Sequence, residues 1–138
     1  MSTRLEASVE TEAQFHDLDP MNIVWHGNYA RFFELARVAL LDRIDYSYDA
    51  MKASGYGWPV VEMKLRYARP VRFRQRIVVK AHLVEWEHRM KINFLITDKE
   101  SGKKICSGYT IQAAVAVHEE ELLWETPAVF RDKLKPYL

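Results

Sequence analysis

The stretch from about residue 27 to about residue 44 is typical of a helix that is apolar on more than one side. Its main apolar face has the i, i+3, i+4 spacing of a helix and consists of Tyr29, Phe32, Phe33, Ala36, Ala39 and Leu40. A second set widens this face, namely Leu35, Val38 and Leu41. The polar side keeps mainly Arg31, Glu34, Arg37 and Asp42. Such a helix must be covered by other parts of the chain, and a curved sheet wrapped around it would do this.

Most of the remaining chain alternates apolar and polar residues with a period of two, which is typical of strands. The alternation runs through residues 4–15, 61–67, 77–83, 90–96 and 105–117. Short connections between the later segments predict antiparallel neighbours. The sequence therefore predicts an α+β fold in one domain spanning residues 1–138. In it, a long central helix is wrapped by a curved antiparallel sheet of about five strands.

Helix ends are marked at two places in the chain. Gly27 and Asn28 stand where the long helix would be capped at its N-terminus. Thr126 followed by Pro127 is typical of an N-cap and a first helical residue, and it predicts a short terminal helix that ends before Pro136. Residues 45–57 are predicted to form a short helical or irregular connection that ends at Gly55 and Gly57, before the next strand.

The charge balance and the single cysteine limit the classes of function. With 20 Lys and Arg against 19 Asp and Glu, the net charge of +1 gives no general attraction to nucleic acid or to a charged membrane surface. Cys106 has no partner for an intramolecular disulfide, and the apolar runs are shorter than the roughly 20 residues of a membrane span. We therefore expect a cytoplasmic protein without a membrane span. Open strand edges predict a homodimer, and apolar residues on the outer phase of the strands favour assembly to a homotetramer.

A carboxylate lies just upstream of the predicted helix N-terminus. Asp17 and Asp19 stand in an acidic turn, and Pro20 favours an extended backbone at Asp19. Asp is a common turn and cap residue, so on these residues alone a structural role is the simpler interpretation of Asp19. His16, Asp17, Asp19 and His26 lack the tight spacing of metal-ligand pairs, and we expect neither a metal nor a cofactor.

The acidic turn and the start of the helix carry a resemblance to a known family. The pattern Asp-x-Asp-x-x-x-x-Val-x-His-x-x-Tyr is formed by Asp17, Asp19, Val24, His26 and Tyr29, and it is followed by Glu34 and Arg37. It resembles the hotdog-fold acyl-CoA thioesterases of the 4-hydroxybenzoyl-CoA thioesterase type. The segment Tyr67-x-x-Pro70 and the later strands extend the likeness along nearly the whole chain. One departure is Asn22, where members of that family often carry glycine.

The resemblance implies hydrolysis of acyl-CoA or acyl-carrier-protein thioesters to free acid and thiol. The catalytic carboxylate of the family corresponds to Asp19, which would either attack the thioester carbonyl or deprotonate a water that attacks it. The backbone amide of His26, at the positive end of the helix, would donate to the carbonyl oxygen. Substrate-binding roles are implied for Val24, Trp25, Tyr29 and Glu34, with Tyr29 closing the acyl pocket and Glu34 able to serve the partner subunit's site.

The densest basic run of the chain surrounds Pro70, between residues 66 and 76. Arg66 and Arg69 are the candidates to bind the phosphates of coenzyme A or the acidic surface of a carrier protein. A solvated strand end explains each arginine equally well. Two other functions remain open for the same architecture. One is an acyl-thioester hydratase or dehydratase, and the other is a non-catalytic acyl-CoA-binding module.

Overall fold

The computed structural model describes residues 2–138. It contains three α-helices, α1 (Tyr29–Asp42), α2 (Tyr48–Ser54) and α3 (Ala128–Leu134). The long strands are β1 (Glu6–Glu12), β3 (Val60–Tyr67), β4 (Arg76–Glu85), β5 (Met90–Asp98) and β6 (Lys104–Gln112). Three short strands are β2 (Tyr56–Gly57), β7 (Val115–Ala116) and β8 (Glu121–Leu122). Within residues 2–138, no helix is both long enough and apolar enough to cross a membrane.

The long strands form one antiparallel sheet that packs against α1. Their order is β1-β4-β5-β6-β3, and the three short strands form a second sheet in the order β2-β7-β8. α1 lies mainly across β1 and β4. Phe33 of α1 stacks on Phe94 of β5, with ring centroids 4.4 Å apart. This confirms the predicted α+β architecture of one long helix and a five-stranded sheet.

The apolar periodicity of α1 places its main face in the core as predicted. Phe32, Phe33, Ala36 and Leu40 are fully buried. Of the second set, Leu41 is buried, whereas Leu35 and Val38 stay exposed because no part of residues 2–138 covers them. Helix capping also differs from the expectation. A 3-10 turn over His26–Asn28 leads into α1, and the Asn28 side chain makes no cap hydrogen bond.

Two predicted strands are shorter than their patterns. The first ends at Glu12 because the Ala13 amide donates to the Gln75 carbonyl and Phe15 begins a 3-10 turn, where it is 75% exposed. The last long strand is broken after Gln112. Its continuation, β7, leaves the large sheet and pairs with β2. Side-chain alternation alone does not reveal that a chain changes its partner strand.

Strand β3 is an edge strand, with β6 on one side. Val61 and Met63 are exposed, although the alternation over residues 61–67 predicted that their side of the strand would be buried, and the preceding Val60 is exposed as well. Among residues 2–138, no strand pairs with the outer edge of β3. An exposed edge with apolar side chains is a surface that commonly pairs with another chain.

Gly108 is required by the close packing of β6 against β3. A Cβ at this position would lie 1.9 Å from the Lys64 carbonyl oxygen and 3.1 Å from Cε2 of Phe33. We expect Gly108→Ala to lower the free energy of unfolding by about 2–3 kcal/mol or more, measured by urea denaturation. Gly57→Ala is the control, because its nearest neighbour would be 3.4 Å away. Equal stabilities of the two variants would contradict this packing.

Candidate active site

A tight turn presents the Asp19 carboxylate. The Asp19 amide donates to the Ile23 carbonyl at 2.8 Å, and the Asn22 amide donates to the Asp19 carbonyl at 2.9 Å. Asn22 closes the turn with a φ of 62°, a left-handed conformation that Asn adopts more readily than most residues. Asn22 can therefore adopt the backbone conformation of this turn, at the position where the family named above often has glycine. The Met21 amide donates to Oδ1 of Asp19 at 2.8 Å and so orients the carboxylate.

The half-buried Asp19 faces a cavity of about 310 Å³. Side chains from the acidic turn, the start of α1 and the end of β3 line it, among them Asp19, Val24, His26, Tyr29, Tyr67 and Arg69. The cavity thus combines one carboxylate, one histidine and two phenols with apolar walls. Such a combination of an apolar cavity and a few convergent polar groups is typical of a small-molecule site.

Asp17 has a different environment from Asp19, although both belong to the acidic turn. Only 1% of Asp17 is exposed. Its Oδ2 accepts from the Gln14 amide at 2.9 Å, and its Oδ1 accepts from Arg31 of α1. Its carbonyl accepts from the Trp25 amide and from Nδ2 of Asn28, both at 2.9 Å. Asp17 therefore fixes the turn to the start of the helix.

The start of the helix offers hydrogen-bond donors. The amides of His26 and Gly27 come before that of Asn28, which is the first donor of the 3-10 turn and bonds the Trp25 carbonyl. Neither of the two amides donates to a protein group within residues 2–138. Aligned peptide dipoles give this end of a helix a partial positive charge. The Tyr67 hydroxyl donates to the His26 carbonyl at 2.7 Å and so fixes the position of this carbonyl. A developing negative charge at this end of the cavity would be stabilised.

Two tyrosines form the aromatic wall of the cavity. The rings of Tyr29 and Tyr67 meet edge to face, with centroids 5.1 Å apart. Burial raises the pKa of Tyr29, and the nearby charge of Asp19 adds a smaller increase. Burial also raises the pKa of Tyr67. Both phenols therefore stay protonated at neutral pH and can act as hydrogen-bond donors.

The structure brings together five of the residues named from the sequence and separates the other three. Asp19, Val24, His26, Tyr29 and Arg69 line the cavity, whereas Trp25, Glu34 and Arg66 lie outside its wall.

The three separated side chains have other neighbours. The half-exposed ring of Trp25 covers Gly27, where an added Cβ would lie 2.3 Å from it. Glu34 is exposed on α1 and accepts from Arg37, which is fully buried and donates to Oγ1 of Thr110 at 2.7 Å. Arg66 lines a separate cavity of about 290 Å³ together with residues of β5 and β6. The predicted polar side of α1 therefore includes one buried cation, Arg37.

Tyr67 was not identified as a site residue from the sequence. Its position in the Tyr67-x-x-Pro70 segment was a usable signal, because this segment belonged to the family pattern. The strand alternation, however, grouped Tyr67 with ordinary inward residues. Its contact with the helix start requires the end of β3 to meet a segment 41 positions earlier in the chain. Met21 and Ile23 of the cavity wall were missed in the same way.

Cys106 is the strand partner of Tyr67, but it is not part of the cavity wall. Burial raises the pKa of the Cys106 thiol to about 11, so it stays protonated and is a poor nucleophile.

A larger apolar cavity of about 430 Å³ is lined by Tyr48, Met51, Trp58 and Val117, among others. None of its lining residues belongs to the wall of the Asp19 cavity. Within residues 2–138, no group of three or more His, Cys, Asp or Glu side chains is arranged to hold a metal ion.

Comparison with known proteins finds relatives along most of the chain. The sequence profile of the Thioesterase-like superfamily matches residues 13–134. A Synechocystis sp. protein provisionally named an esterase is 28% identical over 127 residues, which cover 91% of this chain and 76% of the relative. YneP of Bacillus subtilis, provisionally named an acyl-CoA thioesterase, is 30% identical over 77 residues, or 56% of each chain.

A solved structure shows the same fold. The DHNA-CoA thioesterase of Staphylococcus aureus superposes with a TM-score of 0.79 at 24% identity, covering 86% of this chain and 80% of that one. The helix and sheet of this chain therefore form the expected hotdog fold.

The two carboxylates of the turn should differ in their effect on stability. We expect Asp17→Asn to lower the free energy of unfolding by about 1–3 kcal/mol, because the buried side chain loses its ion pair with the half-exposed Arg31. Asp19→Asn should change it by less than about 0.5 kcal/mol, because the amide oxygen can still accept from Met21. Urea denaturation of both variants measures the difference. A greater loss in Asp19→Asn would contradict these assignments.

Proposed function

Because this chain belongs to the thioesterase-like superfamily, we propose that it hydrolyses acyl-CoA or acyl-carrier-protein thioesters to a free acid and a thiol. The observation that carries the proposal is the cavity that Asp19 shares with His26 at the helix start, where the His26 amide donates to no protein group within residues 2–138. Thioester hydrolysis needs a nucleophile or a base on one side of the carbonyl and donors on its oxygen. This cavity offers both.

Asp19 acts on the thioester carbonyl in one of two ways. As a nucleophile, its carboxylate adds to the carbonyl carbon, the C–S bond breaks, and the thiolate leaves from a mixed anhydride that water then hydrolyses. As a general base, it takes a proton from a water whose oxygen adds to the carbon; the C–S bond then breaks, and the thiolate leaves and takes up that proton. Both routes place negative charge on the carbonyl oxygen, where the His26 amide donates. The hydrogen bond from the Met21 amide supports either role, because it holds the carboxylate in one orientation.

The substrate-binding residues divide into an acyl side and a nucleotide side. Val24 and Tyr29 are buried in the cavity wall and suit an apolar acyl group. Arg69 lines the same cavity, and Arg66 is an exposed cation on the opposite side of β3, so both suit anionic phosphates. Trp25 and Glu34 remain proposed substrate contacts, although they lie outside the cavity wall of the single chain. An acidic carrier-protein surface would meet the same arginines.

The active form in this proposal is a cytoplasmic homodimer that assembles further to a homotetramer. The unpaired edge of β3, with exposed Val61 and Met63, supports pairing with a second copy. The exposed second side of α1, with Leu35 and Val38, is a further apolar surface for association. β3 ends at Tyr67 in the cavity wall, so pairing along this strand would bring a partner close to the site.

Removal of the Asp19 charge should abolish most of the activity. We expect wild-type protein to release thiol from at least one acyl-CoA in a panel of short, medium, long and aromatic acyl groups. Asp19→Asn should lower kcat/KM about 100-fold or more, because the amide side chain neither attacks nor accepts a proton. Asp132→Asn, at an exposed position of α3, is the matched control and should retain full activity.

Three outcomes would contradict this proposal. Unchanged activity of Asp19→Asn would remove Asp19 from the mechanism. Hydration of an enoyl thioester without thiol release would identify a hydratase. Binding of acyl-CoA without any turnover, on coenzyme A and on carrier-protein substrates alike, would identify a binding module.

If the protein is a dimer paired along β3, a charged substitution on this strand should lower the mass of the assembly. Wild-type protein should sediment at twice the 16.2 kDa chain mass or more. Val61→Lys should shift it toward the monomer, because the lysine charge would be buried in the paired edges. Leu122→Lys, at an equally exposed position of β8, should leave the mass unchanged. A wild-type monomer at micromolar concentration would refute the dimer.

A further inference from the structure

The Tyr67 hydroxyl reaches the backbone at the start of the helix. It donates to the His26 carbonyl at 2.7 Å, from the last residue of β3. Its ring is held edge to face by Tyr29, and it also meets the His26 ring edge to face at 6.5 Å. The phenol therefore has one defined direction, and it belongs to the wall of the Asp19 cavity.

This hydrogen bond acts on a particular peptide unit. The His26 carbonyl shares its peptide bond with the Gly27 amide. In a trans peptide the carbonyl and the N–H point in opposite directions, and no described peptide bond is cis. The Gly27 N–H is therefore directed away from Tyr67, and at this position of a helix such a group points out of the N-terminal end. A carbonyl that accepts a hydrogen bond makes the N–H of its own peptide a stronger donor.

We infer that Tyr67 is a positioning residue that orients and polarises the His26–Gly27 peptide, so that the Gly27 amide joins the His26 amide in donating to the thioester oxygen. This inference rests on the proposed thioesterase function. Trp25 supports the arrangement from outside, because its ring lies directly against Gly27 and leaves no space for a side chain there. Glycine thus lets the ring cover the peptide while the amide stays unoccupied by the chain.

Tyr67 remains a donor over the pH range in which a thioesterase works. Burial raises the pKa of its phenol, so the proton that reaches the His26 carbonyl is kept at neutral and mildly alkaline pH. Phenylalanine at this position would keep the ring contacts with Tyr29 and remove only the hydroxyl. Tyr67→Phe is therefore a specific test of the hydrogen bond.

The kinetic test compares Tyr67→Phe with Tyr109→Phe. The second variant also removes a tyrosine hydroxyl from the large sheet, but that hydroxyl donates to Glu62 and is outside the Asp19 cavity. We expect Tyr67→Phe to lower kcat about tenfold with KM nearly unchanged, less than the loss of a direct donor to the oxyanion. Tyr109→Phe should match the wild type. An unchanged kcat in Tyr67→Phe, or a change in KM alone, would overturn the inference.

A second measurement follows the amide chemical shifts of Gly27 in the absence of substrate. In ¹⁵N-labelled resting protein, loss of the Tyr67 hydroxyl should shift the Gly27 amide nitrogen and proton upfield, because the peptide is less polarised. The Tyr109→Phe spectrum should leave Gly27 in place. If Gly27 does not shift in Tyr67→Phe, the inference is wrong whatever the kinetics.

The two measurements also separate this inference from the proposed function. Absence of thiol release by the wild type would refute the thioesterase proposal and, with it, the role of Gly27 toward a thioester. The Gly27 shift would still decide whether Tyr67 polarises this peptide. A shift at Gly27 with an unchanged kcat would refute the inference while leaving the thioesterase proposal intact.

Discussion

The free amides at the start of α1 depend on one buried carboxylate. Asp17 binds the Gln14 amide, Arg31 of the helix and, through its carbonyl, Trp25 and Asn28. These bonds hold the acidic turn against the helix so that Asp19, two residues later, faces the same cavity as the helix terminus. The unsatisfied donors at a helix terminus are usually capped by a side chain or by water. Here the amides of His26 and Gly27 make no protein hydrogen bond within residues 2–138, and His26 lines the cavity in which we propose that Asp19 acts on a bound carbonyl.

The sheet gives this arrangement its rigidity. The main face of α1 is buried against β1, β4 and β5, so the helix terminus cannot shift relative to the end of β3 without loss of core contacts. Arg37 adds a polar anchor, because its buried guanidinium bonds both Thr110 of β6 and Glu34. The edge strand β3 ends at the cavity with Tyr67 and continues to Arg69. A single strand therefore connects the site to the exposed edge along which a second copy can pair.

Periodicity was sufficient to predict the helix, the number of long strands and the antiparallel arrangement, because burial of apolar faces determines all three. It could not distinguish Asp17 from Asp19. Both stand in one turn, and only the fold shows that one is buried in an ion pair while the other faces a cavity. Arg37 was assigned to the polar side of the helix, since its partner Thr110 lies 73 positions away. Tyr67 was missed for the same reason.

The most direct test of the account is a crystal structure of Asp19→Asn with an acyl-CoA that it cannot hydrolyse. In such a structure we expect the thioester oxygen to lie about 3 Å from the amides of His26 and Gly27. The acyl carbon should lie beside the side chain at position 19. A thioester bound elsewhere, such as in the apolar cavity beside Trp58, would contradict the account. So would a carbonyl oxygen directed away from the helix terminus.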